Sequence, residues 1–287
     1  PRSTPKPSSA ASDVYKRQAA MSSEDEGALI GIIGGTGVYD PKLFENVVER
    51  KIYTPFGKTS DLVQIGELGG RRVAFIPRHG RNHEYPPHMV NYRANIWALK
   101  ELGVKAILAP CAVGSLQEEF KPGDFVFVDQ FIDRTRGRKD TFYKSGQVCH
   151  ISVADPVCPD LNALLYRRAK ALGLSCHPKG TYVCIQGPRF STRAESELFR
   201  SWGASVIGMT MYPECVLARE AQICYATVAM VTDYDCWMTG RVVDSEEVVR
   251  TMNQNIDKVR KLLADVIPRI SEDRPCSCGT ALQGALM

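Results

Sequence analysis

No stretch of this chain approaches the roughly 20 consecutive apolar residues that a membrane-spanning helix requires. The first twenty residues, PRSTPKPSSAASDVYKRQAA, also lack the apolar centre of a secretory signal. Residues 1–22 therefore read as a disordered tail or a remnant of cloning or sequence assembly, with Met21 as the expected natural start. A cytoplasmic protein is the default expectation. Charge of one sign is scarce as well. The net charge of +4 shrinks to +1 once Arg2, Lys6, Lys16 and Arg17 are set against Asp13 and taken away. That leaves too little to recruit nucleic acid or an anionic membrane. Neither a Walker A sequence nor a G-x-G-x-x-G fingerprint is present, which removes the two commonest nucleotide-phosphate motifs.

Histidines are few and scattered, and His79 with His83 makes no metal site. Cysteines are not few. Ten are present, and Cys111, Cys184, Cys215, Cys224 and Cys236 sit in apolar surroundings, as small core-packing thiols do. Cys276-Ser277-Cys278 lies in a polar tail at 271–287. It has no second Cys or His pair at zinc-site spacing, so the sequence predicts no metal there. A redox-active or disulfide-forming tail stays open.

What is present is alternation. Leu29–Ile33, Arg72–Ile76, Lys105–Ala109, Phe125–Asp129, Thr181–Ile185, Ser205–Gly208 and Tyr225–Val231 read as strands. Val90–Leu102, Pro159–Leu172, Glu214–Ile223 and Ser245–Ile267 have helical spacing. With no long linker or repeat, the pattern predicts a single α/β domain over residues 28–270 with a largely parallel or mixed sheet. Polar clusters fall where strands end, which is where open α/β sheets bind ligands.

Three clusters carry chemistry. Gly34-Gly35-Thr36-Gly37 follows a buried strand and can fold into an anion-binding nest or a plain structural turn. Arg78-His79-Gly80-Arg81 brings a planar guanidinium fork and a further donor to a strand end, which together with Thr36 and the loop 110–115 suits a small oxyanion. Thr232-Asp233-Tyr234-Asp235-Cys236-Trp237 closes the most apolar strand. Two carboxylates there are costly unless paired or put to work. Burial and like charge favour holding one proton on such a pair, which makes a donor for a leaving base.

Together these residues resemble the 5'-methylthioadenosine phosphorylase family, of the trimeric purine nucleoside phosphorylase type. The resemblance rests on Ile32–Gly37, Thr54–Lys58, Arg78–Arg81, Asn91–Leu99, Asp129–Thr135, Gly187–Ser191, Gly208-Met209-Thr210 with Pro213-Glu214, and Thr232–Trp237, in order from about 29 to 270. It implies a central mixed β-sheet flanked by helices, in a homotrimer. It implies phosphate held by Thr36, Arg78, His79, the backbone at Cys111 and Ala112, and Thr210. Phe190 and Met209 would pack on base and ribose. Asp233 and Asp235 would be the catalytic pair, Asp233 serving purine N7 and Asp235 the 6-amino group, with Tyr234 between them in the substrate-binding set. Phosphate is then a co-substrate, and no metal or organic cofactor is implied.

Three features bear on the comparison: the Cys276-Ser277-Cys278 tail resembles a Cys-x-Cys tail of some heat-adapted relatives, and two positions depart from the family. Cys111 stands where relatives often carry Ser or Thr, removing a hydroxyl. Glu246 falls where a 5'-methylthio pocket carries an apolar residue; with Ser191 it is a candidate specificity residue, and it keeps a 5'-hydroxyl substrate in view. The alternatives are a broader phosphorylase acting on adenosine, inosine or guanosine, a hydrolase using water, and a binding protein that has lost catalysis. Asp235 argues against 6-oxopurines, because a carboxylate accepts from an amino group and repels a carbonyl oxygen.

Overall fold

The computed structural model describes residues 30–35, 37–38, 44–238, 245–273 and 275–287, and of 245–248 the backbone alone. Apolar runs rich in Val, Ile and Ala form the strands, as β-branched side chains fit a pleated buried surface. In chain order the strands are β1 (Ile30–Gly34), β2 (Glu45–Arg50), β3 (Val63–Leu68), β4 (Arg71–Pro77), β5 (Ala106–Ser115), β6 (Phe125–Val126), β7 (Gln130–Arg134), β8 (Cys176–His177), β9 (Thr181–Ile185), β10 (Val206–Gly208) and β11 (Cys224–Tyr234). Helices α1 (Tyr92–Glu101), α2 (Pro159–Ala171), α3 (Arg193–Ser201), α4 (Met211–Glu220) and α5 (Ser245–Val266) lie between and after them. One mixed sheet joins all the strands in the order β2-β3-β4-β1-β5-β10-β9-β7, with β11 branching from β5 and leading through β6 to β8. The expected single α/β domain with a mixed sheet is the fold observed.

Period-two alternation on β5 feeds two cores. Ile107, Ala109 and Val113 face one apolar cluster with Ile96 and Leu99 of α1 and Leu217 of α4. Leu108 faces the other, with Leu161 and Leu165 of α2 and Val259, Leu262 and Val266 of α5. Each such side chain removed from water contributes about 1.5–3 kcal/mol. On α5, Ile256, Val259 and Leu263 recur at helical spacing and are buried.

Three differences from the sequence reading matter. First, β5 does not stop at Ala109 but runs through Pro110 to Ser115. Proline is tolerated because β1 pairs with β5 only as far as Leu108, which leaves the Pro110 position open on that side. Second, the β2–β3 hairpin is unforeseen: β2 is exposed or half-exposed along its whole length and shows no alternation. Third, α3 was missed, although Thr192 and Glu195 form a capping box that starts it. The tail folds back on the body, where Cys149 bridges to Leu286 and His150 N donates to Ala285 O at 2.8 Å. Among the described residues no helix is long and apolar enough to cross a membrane.

Candidate active site

Strand β5 is the spine on which the predicted residues meet. Its Pro110 carbonyl accepts from Arg78 Nη1 at 3.2 Å. Its Gly114 pairs with Asp233 of β11. Four residues of extended chain separate those two contacts, roughly 13 Å at about 3.3 Å per residue. Arg78 and Asp233 therefore meet the same strand about 13 Å apart.

At the first end, the sequence predicts an arginine fork presented to an anion. The fork faces Glu214 instead. Arg78 Nε and Nη2 each reach a Glu214 carboxylate oxygen at 2.8 Å, and Nη2 also donates to Ile33 O at 2.9 Å. With Nη1 on Pro110, four of the five N–H groups are used. Both side chains are enclosed, with exposures of 2% and 0%. Burial works against the guanidinium charge, but the Glu214 carboxylate outweighs it and the arginine stays firmly protonated. Glu214 also accepts from Tyr225 Oη at 2.9 Å. A charge this deep needs a geometrically matched partner, and one Nη1 hydrogen remains for a ligand.

His79, next in sequence, departs from expectation in its polarity. Its Nδ1 lies 2.8 Å from the Tyr85 carbonyl. A carbonyl only accepts, so Nδ1 carries the hydrogen and Nε2 of the neutral ring is an acceptor. Burial, with the neighbouring Arg78 charge, lowers the imidazole pKa to about 4, so the ring is neutral near pH 7. His79 thus offers a lone pair where a donor was expected.

Cys111 is buried, and burial pushes its thiol up to about 12. It acts as a neutral S–H beside Tyr182, whose hydroxyl accepts from Thr210 N at 3.3 Å. Cys111, Tyr182 and Thr210 are thereby joined through short contacts, with Ala112 exposed next to them.

At the second end a β-bulge sets the geometry. The β5–β11 register slips between Val231 and Asp233, so that Thr232 is the extra residue and Asp233 falls opposite Gly114. Bulges bend a strand and re-aim its side chains. Gly114 eases a close approach, since a Cβ there would lie 3.2 Å from Ile207 Cγ2 and 3.3 Å from Asp233 Oδ2, so that a neighbour would have to give by a few tenths of an ångström. Thr232 Oγ1 donates to Asp233 Oδ1 at 2.7 Å. Asp235, 4% exposed, accepts from Ser191 Oγ at 2.6 Å through Oδ2. Its Oδ1 takes no hydrogen bond from the described residues. Ser191 is placed by the Thr192 capping box one residue later.

The remaining expected residues divide. Met209 is half-buried with its sulfur against Gly187, where φ is +61° and a Cβ would come within 2.6 Å of it. Phe190 is 59% exposed on the same loop. Tyr234 is turned elsewhere: alternation puts it on the opposite face from its aspartate neighbours, with its ring 5.9 Å from Trp237 and its hydroxyl 3.4 Å from Glu118 O. Thr36 and the side chain of Glu246 lie outside the described residues. A cavity of about 450 Å³ between residues 140–151 and Glu220 contains none of the predicted residues.

The model of the phosphorylase superfamily matches residues 29–268. The S-methyl-5'-thioadenosine phosphorylase of Thermofilum pendens is 59% identical over 258 residues, 90% of this chain and 98% of that protein. Its counterpart from Hyperthermus butylicus is 56% identical over 90% of this chain and 95% of its own. The chain belongs to the S-methyl-5'-thioadenosine phosphorylase family of that superfamily. Among solved structures, the methylthioadenosine phosphorylase from an antarctic soil metagenomic library superposes with a TM-score of 0.87 at 46% identity, covering 92% of this chain and 93% of that one. The Schistosoma mansoni enzyme in complex with adenine gives 0.85 at 39%, covering 90% and 97%.

The structure gives contacts to two residues that the sequence reading left without a role. Glu214 neutralises Arg78, and its only sequence signal is an acid beside Pro213 in a helix's first turn, where a negative charge is favoured. Arg138 ties two chain segments together: Nη1 donates to Met209 O at 2.9 Å and Nη2 to Gln186 O at 2.9 Å. Nothing in its local sequence foretells this, because both acceptors are backbone carbonyls brought in from β9 and β10.

Proposed function

We propose that the chain carries out phosphorolysis of S-methyl-5'-thioadenosine, giving adenine and 5-methylthioribose 1-phosphate, as a pentosyltransferase in purine and methionine salvage. The observation that carries this reading is the convergence on β5 of the Arg78 guanidinium, at Pro110, and the aspartate pair, beside Gly114. Relatives above half identity bear the same activity in their names, and the Schistosoma mansoni enzyme has been solved with adenine and, as a point variant, with methylthioadenosine.

Phosphate would sit at Thr36, the spare Nη1 hydrogen of Arg78, the backbone of Cys111 and Ala112, and Thr210. His79 Nε2 would accept from a P–O–H group, favouring phosphate that still bears a proton. The base would lie towards Asp233 and Asp235, flanked by Met209 and Phe190. As the N9–C1' bond breaks, its electron pair goes to the purine and C1' takes on ribosyl cation character. Asp233 supplies a proton or hydrogen bond to N7, and Asp235 Oδ1 accepts from the 6-amino group. A phosphate oxygen then bonds to C1'. Its negative charge, held in place beforehand, stabilises the cation with no reorganisation at the moment of reaction. The resemblance further supports a homotrimer working in the cytoplasm, with neither metal nor organic cofactor in the chemical step.

The test is a panel of methylthioadenosine, adenosine, inosine and methylthioinosine, with and without phosphate, read as free base by chromatography. Adenine released from methylthioadenosine only when phosphate is present is the expected result. Release without phosphate, or inosine turned over as fast, overturns it. Asp235→Asn should shift preference towards the 6-oxopurines.

A further inference from the structure

Tyr182 of β9 is fully enclosed in the first apolar core, in one cluster with Cys111, Cys184, Val206 and Met211. Phenylalanine would fill that space as well, so the hydroxyl calls for a reason of its own. A buried O–H is costly unless it is hydrogen-bonded. Its partners lie where the strands end. The register of β9 on β10 sets Tyr182 beside Val206, and the ring reaches on to Gly208, where the hydroxyl leaves no room for a Cβ. There Oη accepts from Thr210 N at 3.3 Å, with the Thr210 hydroxyl also in reach, and gives its own hydrogen to Cys111 Sγ. Burial pushes the phenol well above its usual range, so the hydroxyl keeps that hydrogen near pH 7.

Thr210 is the N-cap of α4, yet its side chain makes no capping hydrogen bond. The third helical position is Pro213, which has no N–H to give, and Tyr212 before it departs from helical φ and ψ. The hydroxyl of this threonine is therefore released from the helix. At the proposed phosphate site Arg78 has one N–H to spare, and Cys111 brings only a thiol, a weak donor. That shifts hydroxyl donation onto the threonines. We infer that Tyr182 is a positioning residue for phosphate, holding Thr210 by its backbone N–H so that the Thr210 hydroxyl meets the anion. The inference rests on the phosphorolysis reading and adds to it a group behind the phosphate site that never touches substrate. A phosphate oxygen is charged and outcompetes a phenol as acceptor. It takes the Thr210 hydroxyl hydrogen, while Thr210 N stays on Tyr182. A donor fixed in advance loses less freedom on binding.

The test compares initial rates of the full wild-type chain and Tyr182→Phe, with phosphate and methylthioadenosine varied in turn. Tyr182→Phe should raise KM for phosphate by about three- to tenfold, with kcat and KM for methylthioadenosine within about twofold of wild type. The rise in melting temperature on adding phosphate alone should shrink in the same variant. In a Thr210→Val background, Tyr182→Phe should add nothing further to the phosphate KM, because the two residues act as one unit. A lower melting temperature with a wild-type phosphate KM would leave Tyr182 a packing residue and overturn the inference. So would equal losses for both substrates, or a full Tyr182→Phe effect on top of Thr210→Val. Should Tyr182→Phe fold poorly, Thr210→Val alone decides: a selective rise in phosphate KM sustains the inference, and an unchanged value overturns it. Wild-type turnover that ignores phosphate is a separate result, and it would sink the phosphorolysis reading itself.

Discussion

Two carboxylate sites, one on helix α4 and one at the end of strand β11, follow opposite rules. Glu214 is fully enclosed, faces a guanidinium, and accepts hydrogen bonds from Arg78 Nε, Arg78 Nη2 and Tyr225 Oη. Asp233 and Asp235 are two residues apart, of like charge, and lean on hydroxyls of Thr232 and Ser191. The first site spends its acid on holding a cation in place. The second keeps acceptor capacity at Asp235 Oδ1. Complete pairing builds the scaffold, and incomplete pairing is what a substrate can complete.

Exchanging the two acids for amides should separate these roles. Asp233→Asn keeps the shape and removes a group able to give a proton to the departing base. It should lower kcat by about 10²–10⁴-fold with an unchanged melting curve. Glu214→Gln should do the reverse first. It leaves a buried guanidinium without its counter-charge, at a cost of about 3–5 kcal/mol of stability, readable as a lower denaturant midpoint. If Asp233→Asn melts early while Glu214→Gln unfolds normally and loses only rate, the comparison is upside down.

His79 sharpens the same contrast through pH. Its folded pKa is about 4 against 6.5 unfolded, lowered by burial and by Arg78. Between those values the unfolded chain binds a proton that the folded chain refuses. Stability is therefore whole above pH 6.5 and falls as pH drops towards 4, by roughly 3 kcal/mol for this group. Urea midpoints at pH 7 and pH 5 should fall more for the wild type than for His79→Gln. Equal falls would mean the imidazole carries no such penalty.

Much of this was legible because hydrophobic alternation reports burial, and burial places strand ends. Asp233 and Asp235 could be singled out since two acids after YATVAMV have no cheap structural excuse. What was not legible is long-range pairing. The occupation of Arg78 by Glu214 joins residues 136 positions apart, and the hydrogen on His79 Nδ1 is dictated by a carbonyl in a loop. The bulge at Thr232 depends on the register between two strands, which neither sequence encodes by itself. The meeting of Cys158, Cys224, Cys276 and Cys278 was hidden in the same way, because spacing along the chain says nothing about neighbours supplied by the fold. Tyr234 shows the opposite hazard: adjacency to two site residues suggested a role, and strand alternation turned it away.

The smallest expected effect tests the finest distinction. Ser191 is set by the Thr192–Glu195 capping box and spends its hydrogen on Asp235 Oδ2, so its part is to orient a carboxylate rather than to touch the reaction. Ser191→Ala removes one hydrogen bond to a charged group, worth about 1.5–3 kcal/mol at most. Part of that loss should return once the 6-amino group engages Asp235. KM for methylthioadenosine should therefore rise by about tenfold or less, with kcat nearly constant. Ser191→Thr, which keeps the hydroxyl, should restore KM. A loss confined to kcat would instead move Ser191 from orienting the acceptor to acting in the bond-breaking step, and the division between supporting and reacting groups would have to be redrawn there.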